Sequence, residues 1–293
     1  MVKNKDFLSH LVELIRLTAT DLPGDVEEAL RQAWEREEEG SPAKSALMTI
    51  LENVKMARKD SLPLCQDTGV ATFYVTLPHR LPSGPVVDLI RKAVREATRL
   101  SYLRPNAVDS LTEVNTSDNV GGETFPVLEF AYHEKPSIVV DLLLKGGGCE
   151  NVSAQYTLPD MSLKAERDME GVKKSILHAV FRAQGNGCPP GIVGVAVGGD
   201  RAKGYGAAKK ALLRKIGEKP EKEEVAIWEE EIRKEANRLG IGPMGFGGRT
   251  TLLGVHLDFL HRHPASFFVS VSYMCWACRR RRLIWEGERG AFV

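Results

Sequence analysis

The 293-residue chain lacks any excess of charge: lysine and arginine balance aspartate and glutamate to a formal +1. No global field therefore draws it to nucleic acid or to a membrane surface. It lacks an apolar run of the roughly 18–20 residues needed to span a bilayer. The opening stretch, MVKNKDFLSHLVELIRL, alternates charged with apolar residues and has neither the h-region nor the cleavage site of a signal peptide. The expectation is a cytoplasmic protein that engages neither membrane nor nucleic acid. Internal repeats and low-complexity linkers are missing as well, so a single catalytic unit over residues 1–293, of one lobe or two, is expected.

Cysteine is scarce and scattered. Cys65, Cys149, Cys188, Cys275 and Cys278 are an odd five, which argues against a disulfide framework. Only Cys275 and Cys278 form a C-x-x-C pair, and no second pair or spaced histidines complete a zinc site. The glycine-rich GVAVGGDRAKGYGAAKKALL fails the phosphate-loop pattern, because Gly204 is followed by Tyr205 instead of Lys-Ser/Thr.

What is present is a balanced globular composition, 43% hydrophobic and 27% charged, in a chain long enough to bury a core. Phe7, Leu11, Leu14 and Ile15 recur at helical spacing. A charged second helix ends at Gly40, and Ser41-Pro42 supplies a cap and a first-turn proline for a third. Strand character follows at Val70–Leu77, helix at Pro85–Leu100, and two strands meet at Glu134-Lys135-Pro136. Beyond them, helices are expected over Asp168–Gln184, YGAAKKALLRKIG and EKEEVAIWEEEIRKEANRLG. Buried strands are expected after GNGCPPG, after IGPMGFGGRTT and through FFVSVSYM, with Arg279–Arg282 as a solvated basic tail or subunit-contact surface. The fold class is α/β: mixed, with helices flanking mixed sheets behind a helical N-terminal segment, and without a clean βαβ rhythm.

Three cysteines sit where open α/β folds build sites. Cys65 lies in SLPLCQDTG ahead of a strand, Cys188 in GNGCPPG between a helix and a strand, and Cys275 at a strand's end. All three are expected on loops at one edge of the sheet. Three thiolates suit a soft metal, above all iron–sulfur. A cluster held by three cysteines keeps one iron open as a Lewis acid, where four would make it an electron carrier. Gln66 and Asp67 stand beside the first thiol, and a carboxylate there is placed to shuttle a proton. Gly146–Gly148 in LLLKGGGCEN offer adjacent backbone N–H groups as an anion nest, or simply a tight turn. Arg104 in SYLRPNAVDS suits a bidentate grip on a carboxylate, or a surface ion pair. His263 in FLHRHPASFF stands at a strand entrance, where a structural role is the commoner one.

CQDTG, LRPN, KGGG-x-EN, CPPGIVGVAVGG, IGPMGFGGRTTLLGVH and RHPA…CWA occur together and in order. The set resembles the iron–sulfur hydro-lyase family, in particular the α subunit of two-subunit class I fumarate hydratases, with L-tartrate dehydratases as near relatives. The likeness runs from about Ser41 to Arg280; SDN at Ser117–Asn119 replaces the commoner GDN. It implies a [4Fe-4S] cluster on Cys65, Cys188 and Cys275 with one open iron, leaving Cys149 and Cys278 out. It implies that Gln66, Asp67, Arg104 and Gly146, Gly147 and Gly148 contact a dicarboxylate, with Asp67 and His263 as catalytic residues. Arg249 and Thr250 match a motif of the family.

The implied reaction is reversible hydration of fumarate to (S)-malate. The implied partner is a separately encoded β subunit in an α2β2-type assembly, without which the chain is expected to be inactive. L-tartrate or mesaconate as substrate stays open. So do two other classes: an interaction protein using CWAC and the arginine run to hold zinc and nucleic acid, and an electron carrier with Cys149 or Cys278 as a fourth ligand.

Overall fold

A computed structural model describes residues 4–287 and 289–293. Helices α1 (Asn4–Thr20), α2 (Gly24–Arg36) and α3 (Pro42–Asp60) lead into strand β1 (Val70–Pro78) and helix α4 (Gly84–Arg99). Strands β2 (Val127–His133) and β3 (Ile138–Lys145), the short helix α5 (Gly147–Asn151), β4 (Ala154–Thr157) and α6 (Met169–Ala183) follow. Then come β5 (Gly191–Val197), α7 (Arg201–Ala211), α8 (Glu223–Arg238), β6 (Leu252–Phe259), β7 (Phe268–Met274), β8 (Arg279–Glu286) and β9 (Arg289–Phe292). The fold is mixed α/β. Ser41 caps α3 as expected, accepting from Lys44 N at 3.1 Å, and Asp168 proves to be the N-cap of α6, its carboxylate accepting from Gly171 N at 2.7 Å.

The chain divides into two compact units, each built from separated segments. Unit 1 comprises residues 1–23, 53–147 and 279–293, and unit 2 comprises residues 24–52 and 148–278.

Unit 1 holds a sheet of order β2-β1-β3-β8-β9, in which β1 and β2 run parallel and the other pairs antiparallel. The two strands flanking Glu134-Lys135-Pro136 therefore do not pair with each other; β1 lies between them. Phe7, Leu11, Leu14 and Ile15 of α1 and the apolar stripe Val86, Leu89, Ile90, Ala93, Val94 and Ala97 of α4 bury against Phe73, Val75, Leu142, Leu144, Leu283 and Trp285. The arginine run is not a solvated tail. It opens β8, with Arg279 1% and Arg280 7% exposed. Arg281 reaches Asp21 at 3.4 Å, and Arg282 grips Asp141 of the neighbouring strand at 2.6 and 3.0 Å. Consecutive charges read as solvent-facing, but a strand sends alternate side chains to opposite faces, and carboxylates on the adjoining helix end and strand receive two of them.

Unit 2 holds a sheet of order β4-β7-β5-β6, with β5 parallel to β6 and antiparallel to β7. Strand β5 is buried along its whole length. Val172, Ile176, Val180, Ile232 and Ala236 of α6 and α8 pack with Val193, Val195, Val255, Val269, Val271 and Tyr273. No helix among the described residues is long and apolar enough to cross a membrane.

Candidate functional site

In unit 1 the loop before β1 is fastened at both ends. Leu64 N donates to Ala19 O at 2.9 Å, and Asn53 Nδ2 donates to Leu64 O at 2.9 Å. At the far end Gly69 has φ +78°, and a Cβ there would lie 2.6 Å from the backbone carbonyl of Lys145, so only glycine fits. Between them Cys65 is half-buried and Gln66 exposed.

Fully buried Thr68 ties this loop to the arginine loop. Its hydroxyl oxygen accepts from Arg104 N at 3.0 Å and Asn106 Nδ2 at 3.2 Å. Asn119, 4% exposed, donates to Arg104 O at 2.7 Å and to Thr98 Oγ1 at 2.9 Å, and accepts from Asn106 N at 2.7 Å. The Arg104 side chain is exposed, with Nη1 3.4 Å from Gln66 O. Thr68 and Asn119 hold no role in the sequence reading, although both stand inside the motifs CQDTG and SDN.

The glycine turn faces a carboxylate of this chain. Asp67 Oδ2 accepts from Gly147 N at 2.8 Å, and Oδ1 accepts from Gly69 N at 3.0 Å. A Cβ on Gly146 would stand 2.7 Å from Asp67 Oδ2. The absence of side chains on this turn is thus what lets Asp67 approach its backbone.

Unit 2 brings Cys188 and Cys275 to one end of its sheet. Ile192 near the start of β5 pairs with Met274 at the end of β7, so the residues preceding and following those strands meet there. Trp276 N reaches Cys188 O at 3.3 Å. Cys188 itself has φ +48° and ψ +59°, a left-handed conformation costly for a non-glycine residue. Both thiols are half-buried, Cys149 and Cys278 are buried, and none of the five forms a disulfide. Burial pushes the Tyr273 phenol well above its ordinary range, and the nearby charges of Cys275, Cys149 and Cys188 push the same way.

The sequence expectation of one sheet edge is corrected: Cys65 precedes a strand of the five-stranded sheet, while Cys188 and Cys275 adjoin the four-stranded one. His263 lies in the turn between β6 and β7, at the opposite end of that sheet from Cys188 and Cys275. The turn is anchored there by Arg167, whose Nη2 donates to Ala265 O at 3.0 Å just before α6 begins. A seven-residue strand separates the two ends by about 20 Å. His263 is exposed, and its Nδ1 accepts from Ala265 N at 3.1 Å, which places the proton of the neutral ring on Nε2. Among the described residues, no three His, Cys, Asp or Glu side chains already form a metal centre. Within unit 2, half-buried Cys188 and Cys275 stand at one end of the sheet and in no disulfide, sulfur donors of the kind a soft metal takes; Cys65 of unit 1 is likewise half-buried and in no disulfide.

The sequence matches the profile of the family described as fumarate hydratase (Fumerase) over residues 9–284. It is 49% identical over 273 residues to a Geobacillus stearothermophilus protein bearing the name fumarate hydratase class I; the match covers 92% of this chain and 53% of that protein. The chain thus spans about half the length of that relative. It is 39% identical to a Methanocaldococcus jannaschii protein named as an L(+)-tartrate dehydratase subunit alpha, covering 92% of this chain and 94% of that one. The L(+)-tartrate dehydratase subunit alpha of Escherichia coli K12 is 34% identical, with 92% and 87% covered.

Proposed function

Since the chain belongs to the fumarate hydratase (Fumerase) family, we propose that it is the α part of a hydro-lyase that reversibly hydrates fumarate to (S)-malate. The proposal includes a [4Fe-4S] cluster on Cys65, Cys188 and Cys275 and a separately encoded β subunit. The observation that carries it is the convergence of Cys188 and Cys275 at one end of the unit 2 sheet, both half-buried and neither in a disulfide. When bound, a cluster with three thiolate ligands supplies a Lewis-acidic iron with an open position.

The residues of the chain do the rest. Asp67, held at Oδ1 and Oδ2 by Gly69 N and Gly147 N, is oriented before substrate arrives, and it gives or takes the proton of the hydroxyl. Arg104, whose backbone is fixed by Thr68 and Asn119 while its guanidinium stays exposed, grips a substrate carboxylate, with Gln66 beside it. Gly146, Gly147 and Gly148 hold the same role as in the sequence expectation. There the substrate carboxylate competes with Asp67 for Gly147 N. His263 is the second catalytic residue of the proposal, although within its own sheet it lies at the end away from Cys188 and Cys275.

The M. jannaschii and E. coli relatives favour a second reading, as the α subunit of an L-tartrate dehydratase, because this chain covers nearly all of each. The test is an anaerobic assay of the reconstituted chain with and without its β subunit, offering fumarate, L-tartrate and mesaconate. Fumarate consumption that needs the β subunit, and that falls by about 10²–10⁴ in Asp67→Asn at unchanged iron content, is expected. Turnover of L-tartrate alone would give the second reading. No turnover from a fully loaded complex would overturn both.

A further inference from the structure

Tyr273 has no part in the reaction just described, yet the Cys188 loop is built around its ring. It is the next-to-last residue of β7 and 1% exposed. A Cβ on Gly187 would lie 2.6 Å from its Cε1, and a Cβ on Gly191 would lie 2.4 Å from its hydroxyl oxygen. Those glycines bracket Cys188, so the backbone on both sides of the thiol rests on the outer edge of one aromatic ring. Contacts that short leave room for no side chain larger than hydrogen at either position.

The backbone that carries the ring is itself fixed. Tyr273 N donates to Ser153 Oγ at 3.0 Å, and Ser153 Oγ donates to Cys149 O at 2.7 Å. On the other side of Cys275, Trp276 N reaches Cys188 O at 3.3 Å. Cys188 keeps its left-handed backbone inside this frame, and a conformation of that cost persists only where the surroundings over-determine it.

We propose that the ring of Tyr273 is a positioning residue: a rigid spacer that sets the separation and aim of the Cys188 and Cys275 thiols. The work is done by the ring's bulk and not by its hydroxyl. The inference deepens the cluster reading and rests on it for its biological meaning, but the thiol geometry can be tested apart from iron.

The experiment compares wild type with Tyr273→Phe, Tyr273→Leu and Gly187→Ala, each first shown by circular dichroism and gel filtration to be folded. Anaerobically loaded iron is competed against a chelator, and the cluster's EPR spectrum is recorded. In parallel, phenylarsine oxide, which bridges two suitably spaced thiols, is titrated into the same substitutions in a Cys65→Ser, Cys149→Ser, Cys278→Ser background. Tyr273→Phe should match wild type in all three readouts. Tyr273→Leu and Gly187→Ala should bind iron about 10-fold or more weakly, as supporting residues around metal sites do, with an altered EPR spectrum and lost arsenical bridging. Should Tyr273→Leu not fold, Gly187→Ala carries the comparison. Wild-type behaviour of the folded Leu or Ala variant overturns the proposal, and so does a Phe variant as impaired as Leu. Arsenical bridging that follows the pattern in a wild type that takes up no iron would sink the cluster reading while sustaining the spacer.

Discussion

Replacing Gly69 by alanine should damage unit 1 at the strand that carries the Cys65 loop, and the size of the damage can be worked out. At φ +78° an L-residue incurs about 1–2 kcal/mol of left-handed strain. The new Cβ also meets the Lys145 carbonyl carbon and oxygen at 2.6 Å and Gly146 N at 2.9 Å. Those are backbone atoms at the end of β3, paired in register with β1 through Val70 and Lys145, so they cannot swing aside. Overpacking of this kind adds about 1–3 kcal/mol, for a total of about 2–5 kcal/mol. Because the two units need not unfold together, the suitable assay is hydrogen exchange read on peptides covering β1 and β3. Exchange there should accelerate by about 1.5 to 3.5 orders of magnitude. Gly122→Ala is the control: φ +56° with nothing within 4 Å of a new Cβ, hence strain alone and about 1–2 kcal/mol. Equal effects of the two substitutions would refute the close approach of Gly69 to Lys145.

Asn119→Ala removes three hydrogen bonds from a side chain 4% exposed, and should loosen the segment from Arg104 to Asn119 by about 2–3 kcal/mol, seen as faster exchange confined to that segment. Glu229→Ala removes the carboxylate that accepts from Arg214 Nη2, leaving Arg214 on His256 Nδ1, and frees the buried Leu257 N bonded to it at 2.7 Å; unit 2 should lose about 1–3 kcal/mol, measured by exchange in β6 and α8. Unchanged protection there would show that the pair contributes nothing. Tyr156, bonded to His178 Nδ1 at 2.9 Å, has its phenol raised by burial. The folded state therefore favours the protonated form: its contribution is complete below the phenol's ordinary value near 10 and is lost as pH rises through the folded value. Urea midpoints should fall as pH rises beyond the phenol's ordinary value of about 10, and less steeply in Tyr156→Phe; parallel slopes would contradict this.

Much of the unit 1 site stood in the sequence because its chemistry is local. Cys65, Gln66, Asp67 and Gly69 are neighbours, and the glycine with positive φ that ends the loop is also what lets it close on β3. Capped helices such as α3 were equally legible from Ser41-Pro42. What depended on partners distant in the chain was not. The arginine run became part of β8, between β3 and β9, and the carboxylates that receive Arg281 and Arg282, Asp21 after α1 and Asp141 on β3, are far off in the chain. The placement of β1 between β2 and β3 was hidden for the same reason, since adjacency in sequence carries no register. Tyr273 looked like one more residue of an apolar strand. The available signal was its place at the end of the alternation Val269, Val271, Tyr273, beside two glycines flanking Cys188, but only the fold brings them together. His263 shows the limit of motif order: twelve positions ahead of Cys275 in the chain, it stands a whole strand away from it.

The three-thiol cluster is the central claim, and iron and acid-labile sulfide content after anaerobic reconstitution tests it most directly. Wild type and the five single Cys→Ser variants would be loaded side by side. About four irons and four sulfides per chain are expected in wild type, Cys149→Ser and Cys278→Ser, with loss in Cys65→Ser, Cys188→Ser and Cys275→Ser. A cluster that needs Cys149 or Cys278 but tolerates Cys65→Ser, or no cluster at all, would contradict the account.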